Sequence, residues 1–240
     1  PTGCRSNPDR PAPDASLLPP HASLFTPRTP MNLHPFLVAI EVGGTLAFAM
    51  SGLIEATRKR MDIVGVFSVA FVSAFGGGTL RDILLDRRPL FWIENQEYLW
   101  LVLAMVATTP LWLQTLRHKV GGRLMELADA LGLGLFAISG ATLADAAGMP
   151  VLVSMMMGAI TAVFGGVSRD VLCNEVPKVY SDHRPYAMCA LFGCGVFLAL
   201  DAIGLPLPIA TLAGIAAATG SRLLALVFDV RLPAWPAHRD

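Results

Sequence analysis

The chain has 240 residues, 54% of them hydrophobic, with only 15% charged and a formal net charge of zero. A water-soluble domain carries about 25% charged residues, so this composition leaves too few groups to cover a solvated surface. Zero net charge also removes the basic footprint that a nucleic-acid binder needs to meet phosphates. Mean hydropathy is +0.57, and lipid is the solvent that this composition suits.

In chain order, residues 1–30 are rich in Pro, Ser and Asp, lack periodicity and precede a plausible initiator, Met31. They are predicted to be a disordered N-terminal segment. Seven apolar runs follow, each near the length of about 20 residues that a membrane-crossing helix requires. Ile63–Leu80, Tyr98–Leu116, Ala146–Ser168 and Ala202–Ser221 contain no Asp, Glu, Lys or Arg; Leu33–Ile54 contains Glu41, Leu124–Leu143 contains Glu126 and Asp129, and Tyr186–Leu200 stops at Asp201. No cleavage site followed by a soluble chain appears, so the first span is expected to be retained. Trp92, Tyr98, Trp100 and Trp112 fall near the ends of the third span, where amphipathic rings suit the headgroup region.

Lys and Arg in short loops mark the cytoplasmic side. Arg58, Lys59 and Arg60 in loop one, Arg117, Lys119 and Arg123 in loop three, Lys178 and Arg184 in loop five, and Arg231 and Arg239 in the tail agree on one side, with Arg87 and Arg88 in loop two dissenting. The expectation is a multi-pass protein of a bacterial-type inner membrane, N-terminus outside and C-terminus inside.

The chain repeats itself at an offset of 88 residues. Phe48, Ala49, Ser51 and Gly52 meet Phe136, Ala137, Ser139 and Gly140; Gly77, Gly78, Arg81 and Asp82 meet Gly165, Gly166, Arg169 and Asp170. Glu41 meets Asp129, and Tyr98 meets Tyr186. Three spans per half is an odd number, so the second half enters the membrane from the opposite side. The predicted fold is therefore all-α and membrane-integral. It has a first three-helix repeat over 31–120, an inverted second repeat over 121–204, a seventh helix over 205–230 started by Pro206 and Pro208, and a tail over 231–240. Binding or conduction sites of such folds lie near mid-membrane on broken helices in matching positions.

The candidate breaks are Gly76, Gly77 and Gly78 in span two and Gly165 and Gly166 in span five. Adjacent glycines weaken a helix by about 1 kcal/mol each, and unwinding there frees carbonyls that are tolerable only around a wet passage. Close helix packing is the competing reading, because Ser154, Gly158, Ala162 and Gly166 form one small-residue stripe and Ala70, Ala74 and Gly78 another. The favoured expectation is a hinge lining a pore.

Arg81, Asp82, Arg169 and Asp170 lie just beyond the glycines, and charges at membrane depth mark functional sites by default. Neighbouring helical residues point about 100° apart, so Arg81 and Asp82 are predicted not to pair with one another. Glu41 and Asp129, at equivalent places on the first helix of each repeat, are the expected partners of the arginines, with Arg81 and Asp129 the pair whose charge swap tests it. Snorkelling of both Arg-Asp pairs into headgroups is the alternative. The cysteines, the Met155–Met157 run and the scattered His34, His118 and His183 form no ligand set, and Arg222 falls near the inner end of the last helix. Phosphate-loop, HExxH, GxSxG and TVGYG patterns are absent.

With FGGGTLRD in span two, FGGVSRD in span five and the FAxSG element in spans one and four, residues 31–230 resemble the prokaryotic trimeric intracellular cation channels, a family also known by a glycine-transporter domain. The resemblance implies no enzyme activity and no cofactor, but a homotrimer in the lipid bilayer with a pore in each subunit, lined by kinked second and fifth helices and passing potassium or sodium ions. By motif position, Gly76, Gly77, Gly78, Gly165 and Gly166 would form the constriction, and Arg81, Asp82, Arg169 and Asp170 would hold or gate it. Phe164 stands where the first motif has Gly76, so the halves are not equivalent. The Lys-Glu-Val element of the animal members is missing. A secondary carrier for a small solute such as glycine fits the inverted repeat equally, whereas a purely structural scaffold leaves the paired charges unexplained.

Overall fold

The computed structural model describes residues 34–117, 119–231 and 233, and every described element is helical. Residues 1–33, His118 and the tail with Arg239 lie outside the described residues. The helices are α1 (His34–Arg58), α2 (Ile63–Leu84), α3 (Phe91–Glu94), α4 (Glu97–Arg117), α5 (Lys119–Ala146), α6 (Val151–Leu172), α7 (Lys178–Ser181), α8 (Ala187–Ala202) and α9 (Leu207–Val227). Five of these are long and apolar enough to cross a membrane, and two shorter apolar stretches, Glu97–Leu111 and Ala187–Ala202, accompany them. Both bounds of α2 and α6 are 88 residues apart.

Freedom from charge proves a poor guide to helix ends. The run expected from Ala146 begins as a helix only at Val151, and the run expected from Ala202 only at Leu207. Gly148 (φ +75°) and Gly204 (φ +81°) make left-handed turns just past α5 and α8, and such turns need no charge. Asp62 caps α2 by accepting a hydrogen bond from the Gly65 N–H at 2.8 Å.

The centre is built from α1, α2, α5 and α6, with α4 against α1 and α2, α8 against α5 and α6, and α9 against α5 and α8. Phe48 of α1 stacks on Phe136 of α5 with ring centroids 5.5 Å apart and planes 13° from parallel. Each ring also covers a glycine of the opposite helix: Gly44 lies under Phe136 and Gly132 under Phe48. Residue 44 meets 136 and residue 48 meets 132, so α1 and α5 run antiparallel. The same logic holds for α2 and α6, where Gly77 meets Thr161 and Gly165 meets Ser73.

The expected unwinding is not found, since α2 and α6 are continuous helices through their glycines. A Cβ on Gly77 would overlap the Thr161 carbonyl oxygen, and one on Gly165 would sit 2.7 Å from that of Ser73. Gly78 is filled against the Phe91 ring, and Gly166 lies near the Tyr186 hydroxyl. Gly76 has only ordinary contacts with Ser168 and Phe164. Backbone approach between crossing helices is thus what these glycines provide, and it compensates their low helix propensity.

The aromatic belt is also partly corrected. Trp100 is exposed, but Tyr98 is buried and Trp92 packs on Phe71 and Phe75, because α3 folds back against α2. The Trp112 side chain lies outside the described residues. Cys173, Cys189 and Cys194 are free and buried, as small hydrophobes.

Because the obstacle at Gly77 is backbone, Gly77→Ala is expected to destabilise the protein by about 1–3 kcal/mol. Gly220→Ala, with no atom within 4 Å of the added methyl, should instead be neutral or stabilising by up to about 1 kcal/mol. Thermal unfolding of both variants in detergent checks the contrast.

Candidate functional site: two buried charge networks

Near the C-terminal ends of α2 and α6, two guanidinium groups are withdrawn from all solvent: Arg81 is 0% exposed and Arg169 1%. A charge buried this deeply persists only with well-placed counter-charges. Arg81 Nη1 lies 2.8 Å from Glu41 Oε1 on α1, and Nε donates to Asp82 Oδ1 at 2.9 Å. Arg169 Nη1 lies 2.6 Å from Asp129 Oδ1 on α5, and Nε donates to Asp170 Oδ1 at 2.9 Å. The arginines do find Glu41 and Asp129, but each within its own half: Arg81 pairs with Glu41 and not with Asp129, and neither guanidinium snorkels to the headgroups.

The prediction that adjacent Arg and Asp would not pair is overturned. Directions 100° apart separate short side chains, but the long arginine stem curls back so that Nε and Nη2 both face the neighbouring carboxylate. Each Asp then uses its second oxygen to start the following short helix. Asp82 Oδ2 accepts the Phe91 N–H at 2.8 Å, and Asp170 Oδ2 accepts the Lys178 N–H at 2.9 Å. A carboxylate at a helix N-terminus is favourably placed.

Two serines complete the sites, and sequence reasoning assigned them no role. Arg81 Nη1 donates to Ser139 Oγ on α5 at 2.8 Å, and Ser139 Oγ donates to Glu41 Oε1 at 3.3 Å. Arg169 Nη1 donates to Ser51 Oγ on α1. Each arginine thus takes carboxylates from its own half and a hydroxyl from the other. The signal was present: Ser51 and Ser139 are the matched serines of the FAxSG element. Asp129 and Ser139 are ten residues apart on one helix, which separates the two networks by about 15 Å along the bundle.

The surroundings differ between the two. At the first, Phe91 lies 5.2 Å below the Arg81 guanidinium carbon and joins a cluster with Phe75, Tyr98 and Phe136. At the second, Arg222 of α9 sits 4.7 Å over the Tyr186 ring. A cavity of about 220 Å³ opens there among Glu126, Asp129, Lys178, Asp182, Arg184 and Arg222. At its rim, Arg184 donates to Asp229 at 2.7 Å, which holds the Asp229 carboxyl below the usual carboxylate range and raises Arg184. On the same face the Lys59 ammonium pairs with Glu175 and lowers that carboxyl, tying the end of α1 to the loop after α6. Among the described residues, no group of three or more His, Cys, Asp or Glu is arranged to hold a metal ion.

A family model described as glycine transporter matches twice, over residues 38–114 and 126–202. A UPF0126 membrane protein of Vibrio cholerae is 35% identical over 82% of this chain and 82% of its own length. The UPF0126 inner membrane protein YadS of Escherichia coli is 34% identical over 81% of this chain and 93% of its own. Among solved structures, the trimeric intracellular cation (TRIC) channel orthologue from Rhodobacter sphaeroides is 37% identical, with a TM-score of 0.76 over 81% of this chain and 99% of that one.

The pairing within each half is separable by a double-mutant cycle. Arg81→Met alone is expected to cost about 3–5 kcal/mol by stranding two buried carboxylates. Added Glu41→Gln should recover part of that, with a coupling of about 1–3 kcal/mol, whereas Arg81→Met with Asp129→Asn should add within about 0.5 kcal/mol. Unfolding free energies in detergent measure both.

Proposed function

The chain belongs to the TRIC channel family, and on that premise we propose that it is a channel for monovalent cations, chiefly potassium, with a permeation path inside each subunit of a homotrimer. It is a multi-pass membrane protein and not an enzyme. The path runs between α1, α2, α5 and α6, past the two charge networks. The observation that carries this reading is their placement: two sets of buried ion pairs at two depths, about 15 Å apart, in a bundle whose buried residues are mostly apolar or small. The hydrocarbon is about 30 Å thick, so groups so spaced can hand a cation from one half of the membrane to the other.

Continuous helices remove the support for a passage lined by main-chain carbonyls. Coordination falls instead to side chains: the serine hydroxyls and carboxylates that already face a guanidinium. Such neutralised groups offer a weak field, which suits a weakly hydrated monovalent ion. The glycines at 76, 77, 78, 165 and 166 set the distance between α2 and α6, and therefore the width of the path. The charged residues Arg81, Asp82, Arg169, Asp170, Glu41 and Asp129 hold or gate it.

The proposed architecture has seven crossings, of which α1, α2 and α4 form one repeat, α5, α6 and α8 an inverted second, and α9 a seventh helix. Antiparallel pairing of equivalent helices supports the inversion, and equal 88-residue spacing of the two family matches supports the repeat. The Lys59–Glu175 pair, which joins loops one and five, supports an arrangement with both on the inside, an outside N-terminus and an inside C-terminus.

The family model's description favours a second reading, a carrier of glycine. That reading drew on glycine hinges, and the packed glycines do not supply them. Purified protein in planar bilayers with potassium chloride is expected to give unitary potassium currents. Saturable counterflow of labelled glycine from proteoliposomes without such currents would overturn the channel in favour of the carrier.

A further inference from the structure

The two halves diverge where their networks meet the surface. The N–H that donates to the motif aspartate belongs to Phe91 in the first half and to Lys178 in the second, one residue short of the 88-residue offset. An aromatic seal is thereby replaced by an ammonium lining a polar cavity, and Glu126 stands in that cavity where the 88-residue offset has Val38 in the first half. Arg222 enters this cavity from α9, which has no counterpart in either repeat.

Arg222 is held unlike the other two buried arginines. It is only 3% exposed, yet among the described residues Nε and Nη1 have no hydrogen-bond partner. Nη2 lies 3.7 Å from Asp182 Oδ2, beyond hydrogen-bond range, and the guanidinium rests on the Tyr186 ring. Arg81 and Arg169 each make close ion pairs with two carboxylates; Arg222 makes none. Its charge is therefore the least compensated of the three, and it faces a cavity that also touches Asp129. Lys178 adds to the excess, because among the described residues its ammonium reaches only the Met125 sulfur, at 3.7 Å.

We propose that this cavity is the inner vestibule of the permeation path and that Arg222 is a tethered cation within it, setting how readily a permeant cation enters. The inference rests on the channel reading and deepens it by naming the residue that limits conductance at one mouth. Glu126 and Asp182 gather cations in the cavity, Arg184 is taken up by Asp229 and Asp182, and Arg222 and Lys178 oppose the cations further in. In a low-dielectric funnel a fixed charge of the same sign as the ion acts strongly, and salt weakens its effect.

The test compares the full chain with Arg222→Gln and Arg222→Lys in planar bilayers. At about 50 mM potassium chloride, Arg222→Gln should raise unitary conductance about three-fold and move the reversal potential in a salt gradient towards that of potassium; at about 1 M the conductance gain should fall below about 1.5-fold. Arg222→Lys should stay close to the parent at both concentrations. Should the Gln variant fail to fold, Arg222→Met keeps the stem that packs on Tyr186 and takes its place. In addition, Ser181→Cys at the exposed rim should lose current with a cationic thiol reagent and gain it with an anionic one. Folded neutral variants with the parent's conductance and reversal potential at low salt would overturn the proposal. Absence of any cation current in the parent chain would instead overturn the channel on which it rests.

Discussion

A guanidinium that loses all contact with water must be given its counter-charges by the fold, and two such groups decide how this bundle is assembled. Arg81 and Arg169 each need a carboxylate from the preceding helix, a carboxylate from the next residue and a hydroxyl from across the molecule. Desolvation of a charge in lipid is so costly that a helix shifted by one turn would strand them. The arginines therefore fix the register of α2 on α1 and of α6 on α5. Their serine bonds fix the register of α1 on α5. Small residues allow the helices to come close, but apolar contacts in lipid are nearly interchangeable and specify register weakly.

Much of this could be read from residues alone. The apolar runs, the 88-residue offset and the recruitment of Glu41 and Asp129 by the two arginines follow from hydropathy, self-alignment and the need of buried charges for one another. Three things could not. Helix ends at Val151 and Leu207 are set by uncharged Gly and Pro turns, to which hydropathy is blind. The Arg–Asp neighbour pairs depend on how a long side chain folds back, which angular position on a helix does not describe. Whether adjacent glycines loosen a helix or seat it against another depends on what lies opposite, and here Thr161 and Ser73 carbonyls lie opposite Gly77 and Gly165.

The serines are a different case. Ser51 and Ser139 stand out in the self-alignment as clearly as the arginines, yet a single hydroxyl carries no charge to demand a partner, so its role emerges only when α1 and α5 are side by side. Arg222 is harder still, because α9 has no twin against which to compare it. Departures from the repeat are as informative as the repeat itself. Lys178 starting α7 where Phe91 starts α3, Glu126 in place of Val38 and the added α9 all concentrate at one end, where the first half is closed by rings and the second by water-accessible polar groups.

The Phe48–Phe136 stack carries a consequence for how such a chain can vary. The rings touch each other and each roofs a glycine beneath its partner, so residues 44, 48, 132 and 136 form one closed quartet. Enlarging either glycine lifts the opposite ring, and trimming either ring leaves both a hollow and an unsupported neighbour. Mutational drift at these four sites is consequently collective: a change tolerated in one half constrains its mate, and descendants of the duplication stay tethered to one another at the very place where they first met.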